Sequence, residues 1–549
     1  MWAMSRAASP VKAATIFALV LAALAVVAPF SVRGVACGHD LTFHMNGWME
    51  VGQQWREGVV YPRWAANANY GSGEPRFLFY PPLSCILGGA LGSFVPWLFV
   101  PVVFDFCAVF LAGLAMHVLA REWFAESDAT LIAVAYAVNP YMLLNIYVRS
   151  AFAEMLAASL LPLMVLWMVR ERPAREMFAP LAVTVAAAWL TNVPAAIMLT
   201  YSVVVLLTIT TVFRRNSRVF VYGASALALG MALASFYIVP VVFEKNWIAL
   251  WQVLSAGVRP SDNFLFARTG EIQHDRFLGQ LSWLAAGELA VTAVAIFAAR
   301  SWRKNNPKFW WSLLILGAMS LLLMLPVTSV FYRLMPDLRF VQFPWRWLMI
   351  VSAAYAIFVV TAVPGFRAKS WVYVLLFAGL IAVCNLALQP RCDPADTPFM
   401  ISNVYQTGFG YIGTDEYVPA GGDNYEIKPD FPEFRLRSEG GGALPAGASG
   451  TVLHWSTYRK QLIVESPAPA QVLLRLMNYP AWRATVNGSK SAPESDDPTG
   501  RMVIALPAGR SEVDVQFVRT PDRWLGDGIS VAAVIVFGGF WYVDRRRKR

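Results

Sequence analysis

"KAATIFALVLAALAVVAPFSVRGVACGHDLTFHMNGWMEVGQQWREGVVYPRW", residues 12–64, passes from nearly pure hydrocarbon to a stretch crowded with polar and aromatic side chains. A run of about 20 apolar residues is long enough to cross a bilayer. The first part therefore reads as an uncleaved first span, although its basic start and apolar core also fit a signal peptide. The second part is either a solvated loop or the floor of an active site resting on a membrane. Placed on a helix, residues 39–57 gather Phe43, Trp48, Val51 and Trp55 toward one side and His44, Glu50, Gln53, Gln54 and Arg56 elsewhere. That pattern predicts an amphipathic helix lying in the interface. Asp40 and His44, four apart, share a face.

The rest of the chain supports a membrane reading. Of 549 residues, 57% are hydrophobic and only 15% charged, against about 25% charged in soluble domains. Apolar runs recur at roughly 97–120, 129–147, 151–169, 178–191, 193–213, 219–242, 281–300, 309–326, 346–363, 371–389 and 526–543. With the first, they predict about twelve spans. The short connections "VRERPARE" (169–176), "FRRNSR" (213–218), "RSWRKNNPK" (300–308), "FRAKS" (366–370) and the tail "DRRRKR" are basic, which places them in the cytoplasm. The net charge of +10 is thus a topology signal rather than a nucleic-acid footprint. The apolar segment 81–94 is too short to cross, so it reads as a half-helix or re-entrant piece opened by Pro81 and Pro82.

This topology gives a polytopic domain over 1–389, with outer loops at 32–80 and 243–280, an extracytoplasmic β-rich domain at 390–525, and a last span with basic tail at 526–549. In 390–525, strand-length runs alternate with turn clusters such as "NG" and "PAG", which predicts a β-sandwich. The Gly-rich patch 438–450 reads as an exposed loop. Five cysteines show no metal spacing. Cys85, Cys107 and Cys384 read as packed thiols, whereas Cys37 and Cys392 fall outside apolar runs on one side, where a disulfide is geometrically open.

The motifs "HDLTFHM", "YPRW", "GSGEPRFLFYPPL", "YVRSAFAEMLA" and "RFVQFPWRW" resemble bacterial membrane proteins of the 6-pyruvoyl-tetrahydropterin synthase-related group. "TDEYVP" and "NYPAWRATVNG" resemble the outer domain of the YfhO-like proteins of that group. A carboxylate just after the first span, followed by an amphipathic outer loop, also resembles membrane glycosyltransferases of GT-C architecture. The zinc-binding histidine cluster of the soluble pterin synthase is not evident, and the chain has only five His.

The resemblance implies an α-helical, GT-C-like membrane enzyme of the bacterial inner membrane. It would move a sugar from a polyprenyl-phosphate carrier to a glycan, lipid or protein acceptor at the outer face. By resemblance Asp40 is the catalytic carboxylate, acting as base or holding Mg or Mn. His39 and His44 would orient it or bind substrate, and Glu74 is a second acid. Asp40 as a helix N-cap is the competing reading, and a zinc site of His39, Asp40 and His44 lacks a further ligand. Arg149 and Glu154 lie where a span begins, either meeting a phosphate or pairing to lock helices. Arg333, Arg339 and Arg346, with Trp345 and Trp347, form a basic aromatic rim, read either as a dock for a lipid phosphate or as an aromatic belt with snorkelling arginines; Arg346, at a span boundary, is the chosen phosphate ligand. Asp262, His274 and Asp275 in the second loop are weaker candidates. A transporter of lipid-linked saccharide and a non-catalytic envelope scaffold are the alternatives; the first would be expected to show repeated halves.

Overall fold

The computed structural model describes residues 10–363, 366–390, 392–438, 444 and 446–548; part of the Gly-rich patch 438–450 lies outside them. Among the described residues, nine helices are long and apolar enough to cross a membrane: Ala13–Arg33, Val100–Ala120, Glu126–Arg149, Phe152–Val169, Val193–Arg214, Ile272–Asn305, Pro344–Ala362, Ser370–Leu388 and Pro521–Arg546. Arg175–Thr191 falls one residue short of that length class, at 17 residues. Two expected spans, 219–242 and 309–326, are not straight. Ser217–Leu233 meets Ser235–Trp247 at 72°, and Pro307–Leu323 meets Pro326–Leu334 at 87°. Pro326 has no N–H to continue the second ladder.

The first bend is closed from outside. The last helix presents Ser530, whose hydroxyl accepts from Phe236 N–H at 2.9 Å and donates to the Ala232 carbonyl at 3.2 Å. Backbone groups freed inside a membrane need such partners, because the hydrocarbon supplies none. Gly526 permits the approach: a Cβ there would lie 2.6 Å from the Ser235 carbonyl oxygen.

Segment 81–94 forms the helix Pro82–Gly92, about 16 Å long at 1.5 Å per residue. It packs on the loop helix Leu41–Arg56 through two glycines. A Cβ at Gly88 would fall 2.3 Å from the Trp48 ring, and one at Gly89 2.8 Å from Val51 Cγ1. Trp48 itself stacks on Phe104, with ring centroids 5.1 Å apart.

The helix predicted for 39–57 forms over Leu41–Arg56, but of its polar face only Arg56 is exposed, with Gln53 partly so. His44, Asn46, Glu50 and Gln54 are all buried. What covers that face is the strap 392–431, which winds past the loop helix before the sheets begin. Tyr405 donates to Gln53 Oε1 at 2.7 Å, Tyr411 approaches Glu50 Oε1 at 3.3 Å, and Asn67 N–H donates to Glu50 at 2.6 Å. A disulfide, Cys37–Cys392, fastens the start of the strap to the exit of the first span. Cys85, Cys107 and Cys384 are free thiols.

Two antiparallel sheets form the C-terminal domain: β1 (Phe434–Ser438), β2 (Ser449–Ser456), β3 (Arg459–Ser466), β4 (Ala470–Met477), β5 (Trp482–Val486), β6 (Ser489–Ser491), β7 (Glu494–Ser495), β8 (Arg501–Leu506) and β9 (Gly509–Phe517). Their orders are β1-β4-β8-β7 and β2-β3-β9-β5-β6. Alternate residues point inward, so Leu462, Val464, Val472, Leu474, Ile504, Val513 and Val515 make the core. Asn487 and Gly488, both at positive φ, turn β5 into β6. The domain is seated on the first loop: Trp64 packs edge-on to Trp482, and Tyr458 OH accepts from Arg63 N–H while donating to Gln54.

Candidate functional site

Asn139 starts a short helix by accepting from Met142 N–H at 2.8 Å, and the chain then loosens into a π turn at Asn145–Arg149. Ser150 follows at φ +52°, a left-handed conformation that costs a non-glycine residue energy. This kink is a cradle for the segment leaving the first span. Gly38 N–H donates to Ser150 Oγ, Ser150 Oγ donates to the Ala36 carbonyl, and Asp40 N–H donates to the Arg149 carbonyl at 2.9 Å. Only glycine fits at 38, since a Cβ would lie 2.4 Å from the Arg149 carbonyl carbon. The backbone thereby delivers Asp40 to Arg149.

Four of the sequence candidates converge here. Arg149 Nη1 meets Glu154 Oε2 at 2.8 Å, Arg346 Nε meets the same oxygen at 3.1 Å, and Arg149 Nη2 stands 4.0 Å from Asp40 Oδ2. Tyr141 OH donates to the other Glu154 oxygen, and Asn145 Oδ1 accepts from Arg149 at 2.6 Å. Rings flank both cations: Arg149 lies 4.7 Å over Trp345 and Arg346 4.5 Å over Phe343. Glu154 is therefore a buried carboxylate that clamps Tyr141, Arg149 and Arg346 together.

Asp40 occupies the N-cap position of Leu41–Arg56, yet its side chain makes no capping hydrogen bond. Its carboxylate is 42% exposed, while burial raises its pKa above the ordinary aspartate value against the pull of Arg149, Arg346 and His39. The carboxylate thus reaches solvent while crowded by the protein atoms around it. His39, beside it, packs edge-on to Phe277 at 5.0 Å. Its pKa is lowered, by burial first, against the attraction of Asp40.

The other candidates are elsewhere. His44 does not turn to Asp40: it is buried among Phe43, Trp48, Tyr80 and Phe152, and burial pushes its pKa down to about 3. Its Nδ1 has no hydrogen-bond partner among the described residues. Glu74 is fully buried in a separate clamp, bonded to Arg76 Nε at 2.7 Å and to Thr414 N–H at 2.9 Å. Phe43, His44 and Tyr80 lie between the two clusters, with Arg76 stacked 4.5 Å over Phe43. Arg333 and Arg339 are exposed. Asp262 and Asp275 cap local turns, at Gly257 and at Thr269 and Gly270, and His274 Nε2 lies 3.2 Å from the Asp262 carbonyl.

No group of three or more His, Cys, Asp or Glu with metal-holding geometry occurs among the described residues. At Asp40 the described donor set is one carboxylate beside two guanidinium groups, and the Glu154 oxygens bond Arg149, Arg346 and Tyr141.

Tyr141, Asn145 and Gln342, whose Oε1 lies 3.4 Å from Arg346 Nη1, belong to the site and were not singled out by sequence. Tyr141, Asn145 and Arg149 recur every four residues in "PYMLLNIYVRS", a polar stripe on one helical face that would have flagged them. A further polar set inside the spans was also missed: Ser352 Oγ bonds Glu288 at 2.9 Å and Asn139 at 3.0 Å.

No curated protein matches the chain in sequence. Among solved structures it is similar to the arabinofuranosyltransferase AftD from Mycobacteria, at 17% identity and a TM-score of 0.43, covering 70% of this chain and 28% of that one. It is similar to ArnT from Cupriavidus metallidurans, solved bound to undecaprenyl phosphate, at 14% identity and 0.42, covering 72% and 75%. A third is the archaeal oligosaccharyltransferase AglB from Archaeoglobus fulgidus, in complex with an inhibitory peptide and a dolichol-phosphate, at 12% identity and 0.36, covering 74% and 57%. The chain thus spans little more than a quarter of AftD. The sequence pattern of one membrane-protein family runs through residues 77–390, more than half of the chain and inclusive of Arg149, Glu154 and Arg346. The protein belongs to that family, described as 6-pyruvoyl-tetrahydropterin synthase related.

Proposed function

We propose that the protein is an integral membrane glycosyltransferase that takes a sugar from a polyprenyl-phosphate carrier and passes it to an envelope glycan, lipid or protein at the outer face. The observation that carries this reading is the convergence of Asp40 with Arg149 and Arg346 where the first span ends. Glu154 neutralises one of the two guanidinium charges, which leaves one positive charge to balance Asp40 or an incoming phosphate. The basic connections lie at the other ends of the spans, and the Cys37–Cys392 disulfide suits an oxidising compartment.

The chemistry follows from those groups. The acceptor hydroxyl gives its proton to the Asp40 carboxylate as its oxygen bonds to the anomeric carbon. The bond from that carbon to the carrier phosphate breaks, and the electron pair leaves on the phosphate oxygen. Arg149 and Arg346 stabilise that departing charge, where donors held in place before reaction act most strongly. A raised pKa makes Asp40 a better proton acceptor than an ordinary surface aspartate.

The test is transfer by the purified protein in liposomes, supplied with labelled polyprenyl-phosphate sugars and envelope acceptors. Asp40→Asn should lower transfer by about 10²–10⁴-fold, the range of general base catalysis, with the folded protein intact because no capping bond is lost. An Asp40→Asn protein with full activity ends the assignment.

A further inference from the structure

The helix Phe152–Val169 begins at the Asp40 site and runs 18 residues, about 27 Å, to a second cluster of charge. There the turn after Val169 folds against the end of Val193–Arg214. Arg214 donates from Nη1 to the Arg172 carbonyl at 3.1 Å and from Nη2 to the Arg170 carbonyl, so the acceptors of the turn are used. Glu171, the acid of the turn, points outward to Lys308 at 2.7 Å. Glu122 takes Arg170 Nη2 at 2.8 Å, and Glu176 meets Arg172 at 3.6 Å.

What remains is a cavity of about 30 Å³ lined by Trp167, Arg170, Arg172, Glu176 and Arg214, among others. Two lining atoms are buried without any partner, Trp167 Nε1 and Arg170 Nε. Both are donors, and no lining acceptor is orphaned with them among the described residues. A water placed there could give a proton to the Glu176 carboxylate alone, whereas an anionic oxygen accepts from both donors at once and adds its charge to the side of Arg170, Arg172 and Arg214. Three guanidinium groups against two carboxylates make the same choice by charge. The cavity is large enough for the oxygen end of a ligand whose remainder sits in the open mouth.

We infer that this turn is a second binding site, for a phosphate-class anion, at the end of the spans opposite Asp40. Trp167 and Arg170 give the inner hydrogen bonds and Arg172, half exposed, closes over the mouth. Basic recesses between spans at headgroup depth suit an anionic lipid, whereas inorganic phosphate would satisfy the same donors. The site does not depend on the glycosyltransferase reading.

Native mass spectrometry of the delipidated protein in an uncharged maltoside decides it. The probes are phosphatidylglycerol, inorganic phosphate and diacylglycerol, which has the chains without the phosphate. Phosphatidylglycerol should be retained and diacylglycerol not, and Trp167→Phe and Arg172→Gln should each weaken retention about tenfold. Arg170→Gln is avoided because it also severs Glu122. Displacement of the lipid by inorganic phosphate supports the site and identifies the phosphate as the recognised group. Binding of inorganic phosphate without any preference for the lipid supports a site for the free ion. Retention of diacylglycerol equal to phosphatidylglycerol, or variants that bind as the parent does, overturns it.

Discussion

Glu154→Gln is the perturbation with the largest expected cost. The carboxylate is 2% exposed and one of its oxygens holds Arg149 at 2.8 Å and Arg346 at 3.1 Å, so the two cation nitrogens sit within about 6 Å of each other. Remove the negative charge and they face one another across a site with few other anions. At an effective dielectric constant near 20, two unit charges at about 6 Å repel by about 3 kcal/mol. Breaking a buried pair from one side costs about 3–5 kcal/mol in general, which agrees. The Tyr141 bond is weakened as well. Thermal unfolding in nanodiscs should show a midpoint lower by about 3–4 °C. The decisive comparison is the double variant Glu154→Gln/Arg346→Gln. With one cation gone the repulsion vanishes, and it should be more stable than the sum of the single losses predicts by about 1–3 kcal/mol. A Glu154→Gln protein that melts with the parent, or a double variant that is simply additive, refutes the clamp.

Transfer should fall as pH drops through the pKa of Asp40, because the base must be ionised; since burial raises that pKa, the acid limb lies above the range of a free aspartate. Arg149→Gln removes its strongest attraction and should move the limb further up, and a profile flat down to pH ~4 contradicts the assignment. Glu50 is pushed up to about 7 by burial, from 4.5, so the fold favours its neutral form. The stability it contributes is whole below the unfolded value and is lost as pH rises through about 7, some 3 kcal/mol in all; Glu50→Gln should flatten that slope in melts taken across the window. Cys37→Ser opens a link between residues 355 apart and should cost about 2–5 kcal/mol; unchanged electrophoretic mobility of the parent on reduction would show that the bond is not formed.

The spans were legible because hydrocarbon length is a one-dimensional property of the chain. The bend at Ala234 was legible only in part: Pro240 weakens the ladder just after it, but the group that closes the bend is Ser530, a residue far downstream. The same holds for the loop helix. Its two faces could be read from spacing, but the cover over the polar face comes from Tyr405 and Tyr411, more than 330 residues on. Spacing therefore suggested water or headgroups where the structure has protein. At the site, Asp40, Arg149, Glu154 and Arg346 stood out as charges beside apolar runs and through family resemblance. Glu74 stood out in the same way, yet its partner Thr414 makes it a fastener of the strap. His44 shared a face with Asp40 by count of residues, but the aromatic rings around it claimed the side chain.

Ser530 also imposes an order on biosynthesis. The ribosome reaches it 294 residues after Phe236, about 15–60 s later at cellular elongation rates. Throughout that interval the Phe236 N–H at the elbow lacks the partner it has in the finished fold. A nascent protein stalled before its final helix would thus carry an open backbone donor in its middle.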